Sequence, residues 1–209
     1  MASVLATAYS ICSYLPISVF IGGEGFITAN VTILPLIAYL LDLEYALTAS
    51  VIGGAVMYFT GTSITPIFGP LAVTIPALGA IFGNLTKKSR FAALPLVAAG
   101  AVIYLLFSGG TALWLALYIA PVITSILSLK HTNLELVNCC VSTAISELIA
   151  MDILTIFLLN FPGYLWIIIL PFAAYERTVA VLASTLILRG VMKYTKMGSV
   201  LQSSKRYKM

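Results

Sequence analysis

Charge is what this sequence has least of. Asp, Glu, Lys and Arg make up 9% of its 209 residues, where a water-soluble domain carries about a quarter. Histidine occurs once, at His131 in a polar break, which excludes haem ligation by two histidines and a histidine-built metal site. The three cysteines, Cys12 and the adjacent Cys139 and Cys140, lie in apolar runs. They form no disulfide framework and read as buried, inert thiols. No Gly-x-Ser-x-Gly elbow, His-Glu-x-x-His pair, Walker lysine motif, aspartate-rich prenyl-diphosphate motif or Gly-x-Gly-Asp element is present, so no catalytic, metal or cofactor site is expected from these patterns. The first ten residues lack the basic start of a cleavable secretory signal, and the first apolar run is expected to be retained. There is no linker, no low-complexity stretch and no repeat of fixed period.

What is present is apolar: 61% of the residues are hydrophobic, and the mean hydropathy is +1.08. Long apolar runs separated by clumps of charge suit a bilayer core of roughly 30 Å. The runs cover 4–21, 27–41, 45–60, 64–85, 91–107, 112–129, 134–159 and 164–188. Two of them, 27–41 and 45–60, amount to roughly 23 Å of helix each, short for a full crossing. They are either thin spans or a re-entrant hairpin. The 64–85 run carries Pro66, Pro70 and Pro76 with three glycines and is expected to be broken. The expected fold is all-α: a polytopic integral membrane helix bundle of six to eight spans, with short or broken helices in the N-terminal half. It forms a single transmembrane domain over 1–209, ending in a short basic tail from about residue 189.

The net charge of +4 reflects basic residues placed beside apolar segments, not a nucleic-acid surface. Ten of the eleven Lys and Arg residues lie at 87–90, at Lys130 or from Arg189 onward. Two hairpins separate these three sites, so they share one face. The positive-inside rule makes that face cytoplasmic, together with both termini, in the cell membrane.

Four charges fall deep inside apolar runs: Glu147, Asp152, Glu176 and Arg177. Each costs about 2.5–3.5 kcal/mol to insert, which makes them candidates for function. Glu147 and Arg177 are equally far in sequence from the turn at Pro162. Antiparallel helices therefore bring them to one depth, and an ion pair is expected. Asp152 lies roughly 140° around the helix from Glu147 and is expected to face another neighbour or a cavity. Glu176 lies roughly 100° from Arg177. Pro171 is expected to open the last helix locally. These charges either cross-link helices or line a polar cavity. Asn138 is expected to bond to a neighbouring helix, and Gly53, Gly54 and the 98–101 stretch to permit close helix contact. Tyr9, Tyr14, Tyr39, Tyr58, Trp114 and Trp166 divide between interfacial anchors and cavity lining, with Trp166, beside a turn, an anchor.

The whole-chain pattern resembles the substrate-binding S-components of energy-coupling factor vitamin transporters. Gly22-Gly23-Glu24-Gly25-Phe26 is placed like the loop that covers that family's outward-facing pocket. Phe68-Gly69-Pro70-Leu71 is similar to its Gly-Pro punctuation, and the 170–177 segment, ending Glu176-Arg177, resembles a final helix whose glutamate lines the ligand site. Ala2-Ser3-Val4-Leu5-Ala6 matches the alanine pattern through which S-components meet their transmembrane coupling subunit. The resemblance implies a six-span bundle that captures a small molecule and has no ATPase of its own, working with a coupling subunit and separate ATPases.

The expected function is accordingly membrane-embedded solute binding for transport, in a cavity lined by Glu147, Asp152, Glu176 and Arg177. Two other readings stand beside it. One is a non-catalytic structural subunit of a larger membrane complex; the other is an intramembrane enzyme using paired carboxylates.

Overall fold

The computed structural model describes residues 1–20 and 25–194. The chain opens with helix α1 (Ala2–Cys12), followed by a short antiparallel hairpin, β1 (Pro16–Phe20) and β2 (Gly25–Thr28). The first apolar run is therefore not one span. Pro16 has no N–H to continue the helical ladder, and the chain turns extended there instead. Residues 22–24 of the glycine-rich loop lie outside the described residues, as does the tail beyond Tyr194.

The segment from residue 27 to 85 is broken, as its prolines and glycines lead one to expect. A 3-10 turn (Ala29–Thr32) leads into α2 (Leu34–Leu40), a helix of 7 residues with Pro35 in its first turn. Helix α3 (Leu43–Thr60) ends at Gly61, whose φ of 63° is the left-handed C-terminal stop that glycine adopts without cost. A single turn α4 (Thr65–Phe68), a 3-10 stretch (Gly69–Val73) and α5 (Thr74–Leu85) complete the next passage. The breaks fall where Pro66 and Pro70 start new turns, the position at which a missing N–H is harmless.

The second half is regular. Helices α6 (Leu94–Phe107), α7 (Leu115–Lys130), α8 (Glu135–Leu154) and α9 (Gly163–Tyr194) follow one another through short connections. Helix α8 continues as one π-turn (Thr155–Leu159) before the left-handed Asn160 reverses the chain. Pro121 and Pro171 sit inside α7 and α9. Contrary to expectation, Pro171 does not interrupt α9, which runs unbroken for 32 residues and carries Arg189 and Lys193 within it.

Hydrogen bonds between the connections show how the passages alternate. At one end, Lys87 Nζ donates to the carbonyls of Tyr39 (3.0 Å) and Leu41 (2.6 Å), while Arg90 pairs with Glu135 at 2.8 Å. At the other, the Ser13 and Thr62 hydroxyls lie 3.0 Å apart and Thr28 bonds to Ser63 at 3.2 Å. The α2–α3 hairpin thus turns at the first end, where Lys87 Nζ meets the Leu41 carbonyl, and α3 runs back from there toward Thr62. Among the described residues, four helical stretches are long and apolar enough to cross a membrane: Thr65–Leu85, Ala112–Lys130, Thr132–Leu159 and Gly163–Tyr194.

Helix α8 is the axis of the bundle. Every residue from Asn138 to Asp152 is buried, against α2, α5, α6, α7 and α9. Its small side chains permit that crowding. A Cβ on Gly83 would collide with Thr143, and one on Gly100 would come 2.5 Å from Ile149. Gly53 is held bare by the Tyr9 ring, also at 2.5 Å. Around Gly100 the expected stripe of small residues reduces to Gly100 and the half-buried Ala101, because Ala98 and Ala99 face outward. The outer surfaces are apolar, with Val102, Leu105 and Leu106 on α6, Ile119, Ile123 and Ile126 on α7, and Leu182 and Leu186 on α9 all exposed. A surface of this kind is compatible with a lipid surround. Ala6 and the flanking Ala2 pack into the bundle's own core against a cluster that includes Tyr9 and Ala49. Ala6 and Ala2 thus face the interior of the bundle.

Candidate functional site

The buried charges gather around α8. Glu147 and Arg177, on α8 and α9, meet at 2.6 Å between Oε2 and Nη1, and Nη1 also donates to the Ala144 carbonyl at 3.3 Å. Both residues are 4% exposed. The turn at Asn160 sets the two helices antiparallel, and equal spacing from Pro162 brings the pair level. A charge-assisted bond of this length is the stronger kind, and it offsets a large part of what two lone buried charges would cost.

Asp152, five residues further along α8, has a different neighbourhood. Its Oδ2 accepts from Trp114 Nε1 at 2.7 Å and from the Tyr118 hydroxyl at 2.6 Å. Trp114 and Tyr118 stand four residues apart at the start of α7, one helical turn, so both face α8. The carboxylate faces protein and a cavity, as its angular offset from Glu147 required. Tyr118 was not singled out by sequence, although its spacing from Trp114 was the available signal.

Trp114 belongs to an aromatic cluster. Its ring lies 5.0 Å from that of Trp166 at an interplanar angle of 77°, and Tyr104 meets Trp166 edge-on at 5.1 Å. Phe161 adds a further wall at 6.1 Å. Trp166 is 2% exposed, not an interfacial anchor. The reason lies in Gly109-Gly110: a side chain on Gly110 would strike Trp166 and the Tyr104 hydroxyl, and one on Gly163 would strike the Gly109 backbone. Bare backbone in the facing loop lets the start of α9 close in and carries Trp166 inside. The indole N–H of Trp166 has no acceptor among the described residues.

Two cavities flank the α8–α9 contact. The first is lined by Asp152, Glu176, Trp114, Trp166, Phe161 and Thr155, among others. The second is lined by Glu147, Arg177, Tyr9, Asn30 and Met57, among others. Ile27 of β2 and Met151 of α8 contribute to both. The four charges singled out from sequence thus divide into a bonded pair on one cavity and two carboxylates on the other. In the second cavity the Tyr9 hydroxyl and Arg177 Nε are buried without partners among the described residues.

The remaining polar candidates are structural. Asn138 accepts from Thr124 (2.9 Å) and Ser125 (3.2 Å) and donates to the Arg90 carbonyl (3.1 Å), tying α7, α8 and the loop before α6 together. Cys139 and Cys140 are buried and unpaired, and His131 is exposed at the α7–α8 break. Among the described residues, no three His, Cys, Asp or Glu side chains converge as metal ligands would. No protein-family model matches the chain, and comparisons with curated proteins and with solved structures return no match.

Proposed function

We propose that this chain is a membrane-embedded solute-binding protein that captures a small molecule inside the helix bundle, working as S-components do. One observation carries the reading: Asp152 and Glu176, two buried carboxylates, line a single cavity whose other walls are Trp114, Trp166 and Phe161. Burying two carboxylates beside a cavity costs desolvation that an apolar wall avoids, which favours a role for them beyond packing. A few polar groups converging on an aromatic pocket are the usual form of a small-molecule site. Fixing Asp152 with two donors pre-organises it, which lowers the cost of ordering the site on binding.

In this reading the Glu147–Arg177 pair is the brace between α8 and α9 and forms the floor of the second cavity. The hairpin of β1 and β2, through Ile27, closes both cavities from the end of the bundle opposite the basic loops. That end is extracytoplasmic, and the 87–90 loop, Lys130 and both termini are cytoplasmic. Transport would require a coupling membrane subunit and ATPases supplied by other chains.

Native mass spectrometry of the gently purified protein tests the reading. The expected result is a bound small molecule released on collisional activation and missing from Asp152→Asn protein. Wild-type protein that carries no small molecule, and whose melting temperature no member of a broad solute library raises, would overturn it.

A further inference from the structure

The second cavity, which touches the Glu147–Arg177 pair, lies outside the solute site proposed above. We propose that it holds one internal water molecule, which joins Tyr9 of α1 to the ion pair between α8 and α9. The inference does not depend on solute binding and adds a site of its own.

Two donors on the walls of this cavity have nothing to bond to. Tyr9 is 0% and Arg177 4% exposed, and neither the Tyr9 hydroxyl nor Arg177 Nε has a hydrogen-bond partner among the described residues. Both residues line the cavity. A buried donor without an acceptor is costly, and native interiors pair nearly all such groups, often through an internal water. The polar atoms nearby are already engaged. Asn30 Nδ2 lies 2.9 Å from Met57 Sδ, and Asn30 Oδ1 accepts from Thr28 at 2.7 Å. Arg177 Nη1 bonds to Glu147 and to the Ala144 carbonyl. The Tyr9 ring is seated against Gly53, where a Cβ would come within 2.5 Å of it, and this packing holds the hydroxyl in place.

Size and charge then select the occupant. The cavity volume is about 10 Å³, close to the space that one water needs. The walls disfavour an ion of either sign. Arg177 repels a cation, and the Glu147 carboxylate on the same cavity repels an anion, while the two charges already match one another at 2.6 Å. A neutral molecule that both accepts and donates fits these walls. Water accepts from the Tyr9 hydroxyl and from Arg177 Nε, and it donates to the Glu147 carboxylate, a group able to accept several bonds at once. That gives about three bonds, the usual number for an internal water.

The full chain crystallised in lipid, with bromide in place of chloride, provides the test. The expected result is one density peak within about 3.2 Å of both the Tyr9 hydroxyl and Arg177 Nε, without anomalous scattering from bromide. An anomalous peak there would make the occupant a halide and overturn the inference, as would an empty site or a direct bond from Tyr9 to Glu147 or Arg177. Stability gives a second measurement that needs no crystal. Tyr9→Phe keeps the ring against Gly53 and removes only the hydroxyl. It should lower the melting temperature in detergent by about 2–4 °C, the shift that one ordinary hydrogen bond gives in a chain of this size. In a background carrying both Glu147→Gln and Arg177→Met, the same substitution should cost about half of that or less, because the water has lost its other anchors. Equal losses in the two backgrounds would show that Tyr9 acts without the ion pair and would overturn the link. The crystallographic result stands even if the double variant fails to fold.

Discussion

Glu147 and Arg177 lie 30 residues apart in sequence and 2.6 Å apart in the fold, at the same depth on two antiparallel helices. Each is deeply buried, so neither can exchange its partner for water. Removing one leaves the other charged and enclosed, which costs about 3–5 kcal/mol. Arg177→Met and Glu147→Gln should each lower thermal stability in detergent strongly, and the double variant should lose much less than the sum. Additive losses in this double-mutant cycle would mean that the contact contributes no coupling energy.

Asp152 is held by two donors from one face of α7. Bonds to a charged group contribute about 1.5–3 kcal/mol each, so Tyr118→Phe should destabilise by an amount in that range. In an Asp152→Leu background the same substitution should have little effect, because its acceptor is gone. Chemical or thermal denaturation of the four proteins measures the difference directly.

Asn84 terminates α2. Its amide donates to the carbonyls of Ala38 at 2.9 Å and Leu41 at 2.7 Å, in a site where the side chain is buried. Asn84→Leu strands the Ala38 carbonyl, while the Leu41 carbonyl keeps its bond from Lys87, and should cost about 1–3 kcal/mol. Lys87→Met removes bonds to Tyr39 and Leu41 from an exposed position and should cost less, since water can replace the ammonium there. Equal losses in the two variants would contradict this ordering.

Gly83 lies where α5 meets α8, and a Cβ there would collide with the Thr143 side chain. Overpacking of this kind costs about 1–3 kcal/mol. Gly83→Ala should destabilise accordingly, and Thr143→Ala should rescue it by removing the obstructing hydroxyl and methyl. Failure of the rescue would place the strain in the backbone instead.

The basic residues give a labelling prediction. In a cysteine-light background, Ser89→Cys and His131→Cys should react with a membrane-impermeant reagent from the cytoplasmic side, and Asn160→Cys from the opposite side. Labelling of Ser89→Cys and Asn160→Cys from the same side would refute the alternation of passages between the two ends.

What sequence determined here was governed by local rules and by cost. Proline and glycine placement decided where the 27–85 segment breaks, because a missing N–H or a left-handed turn acts within a few residues. The expense of buried charge, with equal spacing from the turn, identified the Glu147–Arg177 pair. Burial was legible only in part. In a chain whose outer and inner surfaces are both apolar, hydropathy does not reveal which helix is central. The enclosure of α8 emerges only when small residues on its neighbours interlock with it. For the same reason Trp166 looked like an interfacial anchor: its proximity to a turn was visible, whereas the space left by Gly110 on another helix connection was not. The first apolar run likewise carried no hydropathy signal separating α1 from β1. The grouping of Asp152 and Glu176 with Trp114, Trp166 and Phe161 is also a tertiary result. It depends on how α7, α8 and α9 rotate about their axes, which packing decides and linear spacing leaves free.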